Sequence, residues 1–164
     1  MKSKKIGGLT QSAMIAALYV LLTYVSHLFG MANGAIQVRL SESLAILPFF
    51  TPSAIMGLFI GCIISNLLTG CAIWDIVFGS IATLLGAIFC YLLRNKSKWL
   101  APIPNVLSNS FIIPFVLIHV YGLKEAYFIH FISVFAGEIV SSYLMGMFLI
   151  YMLEKKKFLF KNGL

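Results

Sequence analysis

Four ionisable residues stand inside otherwise apolar runs of this sequence: Arg39, Glu42, Asp75 and Glu138. A charge carried into a bilayer costs on the order of 2.5–3.5 kcal/mol, so such groups face a cavity or a partner. Glu138 is the sharpest signal. It follows Gly137 deep in the apolar stretch that begins at Ala126. At 1.5 Å per residue it lies ~18 Å from the outer end of a helix begun there. A carboxylate at that depth cannot snorkel to water. It is either a protonated group bonded to neighbouring backbone or a buried carboxylate that reads the donors of a ligand. Asn105 and Asn109 share a helical face at i, i+4 spacing, and Asn109 falls at about the same depth, ~18 Å from its helix's outer end. Interhelical amide bonds are the plain alternative for these two and for Asn66, at about 0.6–2 kcal/mol each.

Arg39 and Glu42, three residues apart, share one face of a helix. They form either a self-neutralising ion pair or the lining of a solute pocket, to which Gln37 and Ser41 add polar groups. Asp75, just after Trp74, suits a helix N-terminus through capping and the macrodipole. It also offers a carboxylate to a cationic ligand group. Other chemistry is missing. No Ser/His/Asp arrangement, H-E-x-x-H or phosphate-binding G-x-x-x-x-G-K-[ST] loop occurs. His27, His119 and His130 lack ligand spacing, and Cys62, Cys71 and Cys90 lack C-x-x-C spacing. No metal, cofactor, disulfide or enzymatic centre is expected.

The elements that must position these groups are apolar spans. The expected fold is all-α: one transmembrane domain over 1–164, a polytopic six-helix bundle with helices near 9–28, 36–47, 53–68, 74–93, 105–121 and 126–153. Pro48 and Pro52 bracket a turn between the second and third. Trp74 and Tyr121 mark the outer interface, Tyr91 and Trp99 the inner. The run from Ile6 to Val38 exceeds a signal-peptide core of about 7–15 residues, so it reads as a retained first helix. Ala13 and Ala17 make a small-x-x-x-small step there, with Ser12 and Ala16 offset by one, and Gly57 and Gly61 make another in the third helix.

Composition agrees. Of 164 residues, 60% are hydrophobic and 10% charged, and mean hydropathy is +0.98. These values exclude a soluble globular domain, a disordered chain and a secreted disulfide scaffold. The length allows roughly six spans of about 20 residues and leaves no room for a nucleotide-binding domain. Uphill work would need a partner. The net charge is +7, and ten of the twelve basic residues fall in three clusters: Lys2, Lys4 and Lys5; Arg94, Lys96 and Lys98; and Lys155, Lys156, Lys157 and Lys161. Even numbers of spans separate the clusters, which predicts both termini on the cytoplasmic side. Short clusters beside spans do not indicate nucleic-acid binding.

The stretch Gln37-Val38-Arg39-Leu40-Ser41-Glu42-Ser43-Leu44-Ala45-Ile46-Leu47-Pro48-Phe49-Phe50-Thr51-Pro52 resembles the QueT family. So do Gly57-Leu58-Phe59-Ile60-Gly61-Cys62, the run Asp75 to Leu84, and Gly137-Glu138. The resemblance implies a substrate-binding subunit of an energy-coupling factor (ECF) transporter in the bacterial plasma membrane. It also implies a shared module of a transmembrane coupling subunit (EcfT) and two cytosolic ATPases. Solute would enter from outside beneath the loop joining helices 1 and 2, and uptake would involve toppling of the subunit. Docking would use Ala13 and Ala17. The implied solutes are queuosine precursors, 7-deazaguanines such as preQ1 or preQ0.

The polar inventory suits such a base. Glu138 can accept the two donors of a guanine edge, and Asn109, Gln37 or Arg39 can satisfy its carbonyl. Trp74, Tyr121 or Phe78 can stack on the ring, and Asp75 or Glu42 can hold an ammonium. Other small polar heterocycles would fit as well. Two further readings stay open: a stand-alone proton-coupled carrier that uses Glu138, and, less favoured, an intramembrane enzyme.

Overall fold

The computed structural model describes residues 2–31, 38–122, 124 and 126–155, and Gln37 lies outside them. Among the described residues every regular element is helical. Helix α1 spans Lys2–Leu28 and a 3-10 helix spans Leu40–Phe49. Helix α2 is Ser53–Leu68, α3 is Ile73–Leu93, and a short 3-10 turn at Lys98–Leu100 leads into α4, Ile103–His119. Helix α5, Tyr127–Glu138, continues through a π-helical segment, Ile139–Leu144, into α6, Met145–Glu154.

Four of these segments are long and apolar enough to cross a bilayer: Ile6–Leu28, Ile73–Leu93, Lys98–His119 and Tyr127–Glu154. Two are shorter, Ser53–Leu68 and Leu40–Phe49. Six apolar helical segments are therefore present among the described residues, as the sequence predicts. The second differs from the predicted span near 36–47. Its ten 3-10 residues rise only ~20 Å, short of a hydrocarbon core of about 30 Å. Ser41, Ser43 and Pro48 are poor α-helix formers, and the Ser43 hydroxyl donates to the Leu40 carbonyl three residues back, at 2.6 Å. Pro48 lies inside this helix, and the turn at 50–52 falls between the prolines as expected, closing at Pro52.

This 3-10 helix is the centre of the bundle. Its residues Ser41, Glu42 and Leu44 through Pro48 are all buried. It packs against α1, α2, α3, α6 and the π-helical segment, which is the position of a helix with no lipid-facing side. Its start is tied to α1: Leu40 N–H donates to Ser26 Oγ at 2.9 Å, and Thr23 Oγ1 donates to Ser41 Oγ at 2.8 Å. Helices α1 and α2 pack through the glycine step. A Cβ on Gly57 would lie 2.7 Å from the Ser12 carbonyl oxygen, and one on Gly61 2.9 Å from Tyr19 Cβ. Neither position has room for a side chain.

Polarity runs inside out. Large apolar side chains such as Leu9, Leu28, Phe29, Phe128 and Phe148 are exposed, while Glu42, Asn66, Asn105, Asn109 and Glu138 are buried. An apolar surface this extensive has a bilayer as its natural solvent. This is a membrane protein.

Candidate functional site

The buried polar groups converge on one small cavity. It is lined by Arg39, Glu42, Cys62, Gly79, Thr83, Asn109, Ile113, Val134 and Glu138, and holds about 30 Å³. That is room for about two waters.

Several elements contribute polar groups. The 3-10 helix brings Glu42, 3% exposed. The carboxylate accepts from the Tyr19 hydroxyl of α1 at Oε1 and from Asn105 Nδ2 of α4 at Oε2, 2.9 Å away. The same Asn105 nitrogen reaches Glu138 Oε2 at 3.3 Å and Ser142 Oγ at 3.1 Å. Glu138 is the last residue of α5, and Ser142 lies in the π-helical segment that follows. Wider π turns occur mostly as single insertions at functional sites. Here the segment turns Glu138 and Ser142 onto the same amide. Helix α3 comes close enough because residue 86 is glycine: a Cβ there would lie 2.6 Å from Asn105 Oδ1.

Asn109 lies beside Glu138, one turn along α4 from Asn105. Its Nδ2 is buried with no partner at hydrogen-bonding distance, and so is Asn105 Oδ1. Buried polar atoms rarely stay unpaired, and Asn109 lines the cavity, so its amide is available to a solute or water.

Arg39 and Glu42 do not share a helical face. Arg39 is extended, with φ −108° and ψ 112°, just before the 3-10 helix. Its guanidinium donates to Asn66 Oδ1 at 3.4 Å. Among the described residues the ion pair that forms is elsewhere, Lys98 Nζ to Glu154 Oε2 at 3.0 Å. Arg39 nevertheless lines the cavity beside Glu42.

Asp75 is buried, and Tyr121 donates to its Oδ2 at 3.1 Å while accepting from Ala72 N–H at 3.2 Å. Burial, more than any other cause, raises the Tyr121 pKa above its ordinary value, so the phenol keeps its proton and its donor role. Trp74 is 56% exposed and stacks on Phe78 at 6.1 Å. Trp74, Tyr121 and Asp75 thus form a separate group that does not line the cavity.

Ala13 and Ala17 are exposed, whereas Ala16 is buried against α2. Tyr19 is a site residue that the sequence reading omits, as is Thr83. A signal for Tyr19 exists: Ser12, Tyr19, Thr23 and Ser26 fall on one helical face, a stripe of hydroxyls on an apolar helix.

The sequence profile of the QueT transporter family matches residues 9–155. The chain belongs to the QueT transporter family. It is also similar to a curated relative from Lactococcus lactis subsp. cremoris (strain MG1363), the "Queuosine precursor transporter QueT", with 37% identity over 98 residues. That stretch is 60% of this chain and 57% of the relative. No solved structure matches the chain. QueT proteins are transporters, not enzymes, and the cavity assembles hydrogen-bond donors and acceptors inside the bundle. Among the described residues no group of three or more His, Cys, Asp or Glu side chains could hold a metal.

Proposed function

We propose that this QueT chain binds a queuosine precursor inside its helical bundle and serves as the solute-binding subunit of an ECF importer in the bacterial plasma membrane. The observation that carries the reading is the cavity where Glu42, Glu138, Arg39 and Asn109 meet at the centre of an apolar bundle. Glu138 accepts from the donor edge of the base, and Asn109 Nδ2 donates to its carbonyl. Residues 1–164 act as one transmembrane unit with both termini cytoplasmic. Solute enters from outside, past Trp74, Asp75 and Tyr121. Ligand pockets run to roughly 300 Å³ or more, about ten times the cavity here, so binding widens the bundle around the base. The coupling subunit EcfT docks on Ala13 and Ala17, and two cytosolic ATPases supply the energy.

Mass spectrometry of the small molecule that co-purifies with the chain tests the solute, with a 7-deazaguanine as the expected result. Uptake assays with and without the coupling subunit and ATPases test the assembly. Gradient-driven accumulation by the purified chain in ATP-free liposomes would show a stand-alone carrier and overturn it.

A further inference from the structure

The cavity is short of positive charge. Glu42 and Glu138 line it and Asp75 lies close to Arg39, the one cation among its lining residues. Among the described residues Arg39 donates a hydrogen bond to Asn66 and makes no ion pair. Few donors reach the two carboxylates. Asn105 has two N–H groups for three acceptors, Glu42 Oε2, Glu138 Oε2 and Ser142 Oγ. Tyr19 from α1 gives Glu42 one more. The other groups facing the pair are neutral: Cys62 from α2, Thr83 from α3 and Asn109 from α4. Two buried carboxylates that share one nitrogen beside a single arginine are costly to ionise together without a second counter-charge. Asn109, 5% exposed and with an unpaired Nδ2, independently marks the cavity as built for an occupant.

We propose that the Glu42–Glu138 pair selects by charge: it takes a ligand that carries one ammonium group on a donor-rich planar heterocycle and discriminates against the neutral analogue. This rests on the solute-binding reading above. Two queuosine precursors differ at this point alone. One carries an aminomethyl arm, cationic at neutral pH, and the other a nitrile that can only accept.

Calorimetry on the full chain in detergent compares 7-aminomethyl-7-deazaguanine with 7-cyano-7-deazaguanine. The amine is expected to bind at least roughly tenfold more tightly, the lower end of measured coupling between close charge pairs. Glu42→Gln removes one charge at nearly constant volume and is expected to shrink that preference about tenfold or more. Equal affinities in the unmodified chain would overturn charge selection and leave the solute-binding reading standing. Binding of neither base would overturn both. A folded Glu42→Gln protein that keeps the full preference would overturn the assignment to this pair. If that variant does not fold, the ratio in the unmodified chain decides.

Discussion

Glu42 and Glu138, from elements far apart in the chain, accept hydrogen bonds from one nitrogen, Asn105 Nδ2. The amide is a bridge between two acids that would otherwise repel each other across a low-dielectric gap. The geometry of the whole cavity hangs on that bridge.

Asn105→Ala therefore removes the shared donor and leaves both carboxylates under-satisfied. The expected cost is about 3–5 kcal/mol, the range for breaking a buried charged network from one side. Thermal unfolding in detergent, followed by tryptophan fluorescence, reads it. A melting temperature unchanged from the parent would show that the bridge carries no stability.

Glu138→Gln keeps shape and replaces one acceptor by a donor. If Glu138 reads the ligand's donors, affinity falls by about 2–5 kcal/mol, roughly 30- to 5000-fold. A structural, protonated Glu138 is mimicked by Gln, and affinity then moves less than about threefold. Calorimetry on the folded variant separates the two.

Tyr19→Phe deletes a single hydroxyl, the one donating to Glu42. Leaving that buried acceptor short by one partner costs about 1–3 kcal/mol, or about 5- to 150-fold in ligand affinity. Unaltered affinity would make Tyr19 a packing residue only.

Cys62 lines the cavity yet is 2% exposed, so a thiol reagent reaches it only when the bundle opens. With Cys71 and Cys90 changed to Ser, maleimide labelling of Cys62 is expected to slow about 100-fold at a ligand concentration one hundred times Kd. Labelling at an unchanged rate would place the ligand elsewhere.

Ala13 and Ala17 are exposed on α1. Changing both to Leu is expected to abolish co-purification with the coupling subunit while ligand affinity stays within about twofold, because neither residue touches the cavity. Intact assembly would move the docking face to another helix.

Much of this is legible in the sequence. Hydropathy marks the six apolar segments. Counting along two helices puts Glu138 and Asn109 at one depth, and the structure brings them side by side. Ala13 and Ala17 separate from Ser12 and Ala16 by one residue of helical phase. The rest depends on long-range pairing. Nothing local in Arg39-Leu40-Ser41-Glu42 says that Arg39 turns to Asn66 while Glu42 turns to Tyr19 and Asn105. Hydropathy also cannot tell a lipid-facing helix from one wrapped on all sides, so the 3-10 helix reads as a sixth span. Trp74 and Tyr121 read as stacking partners because aromatic type carries no direction. The structure turns Trp74 onto Phe78 and Tyr121 onto Asp75.

Helix α1 has one more consequence. Its outward face carries Ala13 and Ala17, and its inward face carries Tyr19, whose hydroxyl holds Glu42. A helix with its side chains is about 10–12 Å thick. Anything seated on the alanines thus presses on the same rigid rod that sets the tilt of a cavity carboxylate. Occupancy of the cavity and grip on the outside face are then readings of one lever. Linkage makes the effect mutual: whatever a docked neighbour does to solute affinity, the solute does equally to the neighbour's hold.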